Sequence, residues 1–133
     1  MALRTVDRTT PVSAQPPPPP RPSFETWSWF FMRVSGLVLL FLALVHFAIT
    51  HITNDVATTN YHFVAKRWHN FGWRIFDWSL LALALAHGLN GLRLIIDDYV
   101  RRPARRAATK AFLYTGTLVL FAYGTLTIFN FPG

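Results

Sequence analysis

Residues 111–131, AFLYTGTLVLFAYGTLTIFNF, contain no aspartate, glutamate, lysine or arginine. An uncharged helix of that length matches the roughly 20 residues needed to cross the hydrocarbon core of a bilayer. The stretch sets the fold class, and the rest of the chain is read against the same length rule. Upstream, VSGLVLLFLALVHFAIT (34–50) is equally free of charge and, with its aromatic flank, extends from about 27 to 52. A further apolar segment runs from about 71 to 99, interrupted near its start by Asp77. The expectation is an all-α membrane protein with three transmembrane helices, about 27–52, 71–99 and 111–131.

Composition agrees. Of 133 residues, 52% are hydrophobic and 14% charged, a balance too apolar for an ordinary small soluble domain. The net charge of +7 is unevenly placed. Arg4, Arg8, Arg21 and Arg33 stand at the N-terminal side, and Arg93, Arg101, Arg102, Arg105, Arg106 and Lys110 around the second connection. Only Lys66, Arg67 and Arg74 occupy the first connection. Positive-inside bias therefore predicts a cytoplasmic N-terminus and an external C-terminus, and the same clustering speaks against nucleic-acid binding. Trp27, Trp29, Trp68, Trp73 and Trp78 stand near helix starts, as interfacial anchors do. The chain has no cysteine, which excludes disulfides, thiolate metal sites and covalently attached haem. Residues 1–23, with five consecutive prolines at 16–20, read as a disordered cytoplasmic arm without a cleaved leader, and 24–133 as the membrane-anchor domain.

A second stretch carries the chemistry: HGLNGLRLIIDDY, 87–99. Of five histidines, only His46 and His87 fall well inside expected spans. An imidazole in hydrocarbon needs a hydrogen-bond partner or a metal, so each is either a tie between helices or a ligand. Ala84, Gly88 and Gly91, spaced by four and three, stand beside His87 and open space for a flat macrocycle or for a neighbouring helix. Arg33 and Arg93 stand at depths suited to anionic propionates or, equally, to snorkelling toward lipid phosphates. Tyr99 and the aspartates beside it end the helix about 18 Å from His87, where a phenol can donate to a quinone carbonyl and a carboxylate can assist proton movement. The same aspartates could instead pair with Arg101 and Arg102.

The string resembles the second-helix motif of the D-type membrane-anchor subunits of succinate dehydrogenase (succinate:quinone oxidoreductase), and is most like those of actinobacteria. In that family a haem-ligating histidine precedes a quinone-site tyrosine by twelve positions, with aspartate just before the tyrosine. His87, Tyr99 and Asp98 match. FMRVSGLVLLFLALVH (31–46) is similar to the family's first-helix entrance, which places Arg33 and Ser35 by the haem propionates and quinone pocket. Gly88, Gly91 and Arg93 join them as cofactor-binding candidates. The resemblance covers roughly residues 24–102. It implies one haem b or two, the second ligated through His46, and a substrate quinone, either menaquinone or ubiquinone. It further implies a C-type anchor completing the helix bundle, and iron–sulfur and flavoprotein subunits that hold the clusters and FAD. The location implied is the cell's inner (plasma) membrane. A serine that some C-type anchors place before the arginine is here Trp29, so such a serine must come from the partner. Two other readings stay open: the anchor of a fumarate reductase, and a haem-free assembly or channel subunit.

Overall fold

The computed structural model describes residues 23–132. The Pro-rich arm, with Arg4, Arg8 and Arg21, lies outside them. Helix α1 (Phe24–Phe47) opens on Ser23, whose hydroxyl accepts from the Thr26 amide at 3.4 Å, with Glu25 in the first turn where the helix dipole favours negative charge. Its last turn widens into a π-helical segment, Ala48–Ile52, closed by the Thr53 amide on the Ala48 carbonyl at 2.9 Å. Thr50 Oγ1 bonds back to the His46 carbonyl at 2.8 Å and Thr53 Oγ1 to that of Ile49 at 3.0 Å.

Beyond a 3-10 turn at Val56–Thr58, a nine-residue helix, α2 (Tyr61–His69), starts on the Asn60 side chain, which accepts from the Phe63 amide at 3.2 Å. Asn70 ends α2 and caps α3 (Phe71–Tyr99), its side chain accepting from the Gly72 amide at 2.8 Å. Helix α4 (Pro103–Asn130) begins eight residues before the expected 111. Pro103 is its first residue, where the missing N–H costs nothing, and Ala-, Arg- and Lys-rich residues carry the helix to the apolar run.

The three long helices α1, α3 and α4 are each long and apolar enough to cross a bilayer, so the chain is an all-helical integral membrane protein. They stand in a row with α3 in the middle, packed against α1 on one side and α4 on the other. At one end lie Ser23, Tyr99 and Pro103; at the other lie His46, α2, Asp77 and Phe131. Arg74 fastens this second end by donating to the carbonyls of Trp68, Phe129 (2.9 Å) and Phe131 (3.0 Å), the last two belonging to the α4 terminus. Close to the same end, Trp78 Nε1 donates to Thr125 Oγ1 at 3.1 Å.

The row encloses little. Among the described residues only Ile96 and Ile128 are buried apolar side chains, and the most buried of all is Ser35, 2% exposed, followed by Ser28. In lipid there is no hydrophobic force to hide leucine, so small and polar side chains take the helix seams instead.

Candidate functional site

Helices α1 and α3 meet along a seam that carries polar pairs at three depths. Nearest the Tyr99 end, Ser28 Oγ donates to Asn90 Oδ1 at 2.9 Å. Arg93 joins this pair, donating to Ser28 Oγ at 3.1 Å and to Asn90 Oδ1 at 3.4 Å, and it meets Glu25 at 3.4 Å with its guanidinium over the Phe24 ring. Arg93 is thereby tied to the start of α1, not turned out toward a lipid surface.

One level deeper, Ser35 Oγ and His87 Nδ1 are 2.8 Å apart. The hydroxyl has one proton, and the Phe31 carbonyl, which can only accept, lies 2.6 Å away. With that proton committed, Ser35 accepts from His87, so the imidazole carries its hydrogen on Nδ1 and presents a lone pair at Nε2. No described residue bonds Nε2. Nor is it enclosed, since the sole buried, unpaired side-chain nitrogen or oxygen among the described residues is Arg67 Nε. Gly36 gives the ring room: a Cβ there would meet His87 Cε1 at 3.4 Å.

The third level is His46 with Asp77. Nδ1 of His46 lies 3.2 Å from Asp77 Oδ1. The same carboxylate accepts from Arg67 Nη2 and Trp68 Nε1, both at 2.8 Å and both on α2. Asp77, the apparent flaw in the second span, is thus an anchored carboxylate. It is paired because an unpaired charge at this depth would be costly. Arg67 in turn lies over the Trp73 ring, 4.8 Å from its centroid. The His46 side chain remains 40% exposed. Asp77 stands ten residues before His87 on one helix, which separates the two imidazole levels by about 15 Å.

The small residues flanking His87 do not share one groove. Gly91 faces α1, where a Cβ would touch Met32 Cε at 3.4 Å, while Gly88 opens onto an apolar groove between α3 and α4 with Gly116 and Leu92. Arg33 is exposed, its guanidinium 3.5 Å from the centre of the Trp29 ring and without a carboxylate among the described residues. Tyr99 is 81% exposed and Asp98 is exposed beside it. Asp97 does not pair with Arg101 or Arg102; its partners are Lys110 at 2.7 Å and Arg106 at 3.8 Å, because α4 begins early enough to bring both alongside. Asp77 was legible as a charge interrupting an apolar run. Ser28 and Trp68 were not, because their roles depend on inter-helix register.

Residues 19–124 match the family described as the succinate dehydrogenase/fumarate reductase transmembrane subunit. The chain is 30% identical over 107 residues to a succinate dehydrogenase hydrophobic membrane anchor subunit of Archaeoglobus fulgidus, covering 80% of this chain and 90% of that one. Similarity to the corresponding subunit of Thermoplasma acidophilum is 30% over 98 residues, 73% of this chain and 79% of the relative. A succinate dehydrogenase 2 membrane subunit of Mycobacterium tuberculosis is 29% identical over 85 residues, 61% of this chain and 62% of the other.

Proposed function

Because the chain belongs to the succinate dehydrogenase/fumarate reductase transmembrane-subunit family, we propose that it is the D-type, haem-b-binding anchor of a succinate dehydrogenase in the plasma membrane. Its tasks are to fix the flavoprotein and iron–sulfur subunits to the bilayer and, with a C-type anchor, to form the haem and quinone sites. The observation that carries this reading is the Ser35–His87 pair. It leaves Nε2 with a lone pair, unbonded by the described residues and not enclosed by this chain. Such a nitrogen in a lipid-spanning seam suits an axial ligand whose iron lies between this chain and its partner.

The donor set fits a haem better than a free ion. No three His, Cys, Asp or Glu side chains converge among the described residues, whereas a porphyrin iron asks for one imidazole from either side. His46 would supply a second such nitrogen at the Asp77 level, about 15 Å along the helix axis from the His87 level, so the two imidazoles would serve separate haems. We read the complex as a two-haem one. When bound, haem supplies a one-electron relay. Ser35 and Asp77 would orient the ligating imidazoles, Arg33 would hold propionates, and Tyr99 and Asp98, exposed at the membrane edge, would offer a quinone carbonyl a phenol donor and a carboxylate to take up or release the proton.

Haem against flavin in the intact complex tests the assignment. Two haems per flavin are expected, falling to one in His87→Ala with loss of one b-type component from the reduced-minus-oxidised spectrum. An unchanged ratio and spectrum in that variant would remove His87 as the ligand.

A further inference from the structure

His46 and His87 have different partners at Nδ1, and the difference has a chemical consequence. His87 faces a neutral hydroxyl whose own proton is committed to the Phe31 carbonyl. His46 faces a carboxylate, Asp77 Oδ1 at 3.2 Å. Asp77 is 12% exposed and is held by two fixed donors from α2, Arg67 Nη2 on one oxygen and Trp68 Nε1 on the other. Arg67 is itself 9% exposed and packed over Trp73 and Phe76. The carboxylate therefore cannot swing away from His46 without breaking a short bond to each donor. Thr50 Oγ1 on the His46 carbonyl at 2.8 Å steadies the backbone that carries the ring.

The geometry points to Asp77 as the positioning residue of His46. By accepting the Nδ1 proton it fixes the tautomer, aims Nε2 away from α3, and draws density into the ring so that Nε2 becomes the stronger electron donor of the two imidazoles. Arg67 and Trp68 tune this effect in opposition to it: each donor they give the carboxylate weakens its pull on the Nδ1 proton. Carboxylate–imidazole pairs of this kind raise ligand basicity and orient the ring at metal sites. A more basic axial imidazole stabilises ferric over ferrous iron, so the His46 centre takes the lower midpoint potential. The inference rests on the proposal that His46 ligates a haem.

Two substitutions with opposite expected signs separate this role from a merely structural tie between α1, α2 and α3. Asp77→Asn removes the charge and moves the His46 centre toward the ferrous form by about tenfold at fixed ambient potential, about 59 mV upward for one electron. Trp68→Phe strips one donor from the carboxylate, which then pulls harder on Nδ1, and moves the same centre downward. The His87 centre stays in place in both. The measurement is a potentiometric titration of the purified complex, followed optically, with haem counted against flavin in each preparation. Two haems in the parent complex with an unmoved His46 centre in both variants overturn the role of Asp77 and leave two-haem binding standing. Shifts of equal sign in the two variants overturn it as well, as loosening alone produces them. One haem per flavin in the parent, retained in His46→Ala, overturns the ligand assignment and the inference with it. If Asp77→Asn does not assemble, the sign of the Trp68→Phe shift decides.

Discussion

At the scale of single residues, the chemistry of this chain is set by what stands behind each imidazole. Ser35 illustrates it. The resemblance to anchor subunits points to Ser35 only as a neighbour of Arg33 in a cofactor pocket; the helix register instead places its hydroxyl under His87. No spacing rule links positions 35 and 87, because the pairing depends on how α1 and α3 are staggered. Ser35→Ala would leave the Nδ1 hydrogen without an acceptor in a seam closed to water. An unsatisfied buried donor costs about 1–3 kcal/mol, and loss of such a support behind a metal ligand typically weakens binding about 10–100-fold. The expected outcome is a haem that is lost on dilution from the variant complex and kept by the parent, read as haem per flavin after gel filtration. Equal retention would show that the hydroxyl contributes nothing to the ligand.

At the scale of elements, the long apolar runs were readable because hydrocarbon admits few alternatives to a helix that satisfies its own backbone. The ends were not. Pro103, a breaker in a helix interior, here opens α4, because a proline is tolerated at the first helical position. Helix α2 is too short and basic to stand out from a loop, and it exists because Asn60 and Asn70 cap it and Asp77 draws in Arg67 and Trp68. At Gly124 the α3–α4 contact leaves no room for a side chain: a Cβ there would lie 2.5 Å from Leu81 Cδ2. Gly124→Ile gains a few tenths of a kcal/mol in helix propensity and costs about 1–3 kcal/mol in overpacking, so packing wins. The complex should lose its haem spectrum at a lower temperature, and adding Leu81→Ala should restore part of the loss. Without that rescue, the contact would not be the one limiting α3–α4 packing.

At the scale of the whole molecule, a row of three helices is a sufficient solution for lipid and an insufficient one for the redox site proposed above. Lipid can cover the exposed leucines and phenylalanines at no cost, so apolar exposure alone does not demand a partner. The polar atoms do. Among the described residues, the 40% exposed His46, the reachable Nε2 of His87, Arg33 with no carboxylate partner and the 81% exposed Tyr99 are left open by this chain. Hydrocarbon satisfies neither imidazole, and a second protein surface can. On the proposed haem-binding reading, the single chain would form one wall of the site, with Ser35 and Asp77 aligning its half of each ligand pair. Produced alone and reconstituted in vesicles, it should keep its helix content by circular dichroism yet hold haem at least tenfold more weakly than in the assembled complex. Any residual haem should be high-spin, for want of a second axial imidazole. Co-production with a C-type anchor should yield the low-spin spectrum. A low-spin haem held stably by the chain alone would mean that it closes the site within itself or as a homodimer, and the dependence of that spectrum on protein-to-lipid ratio would tell which.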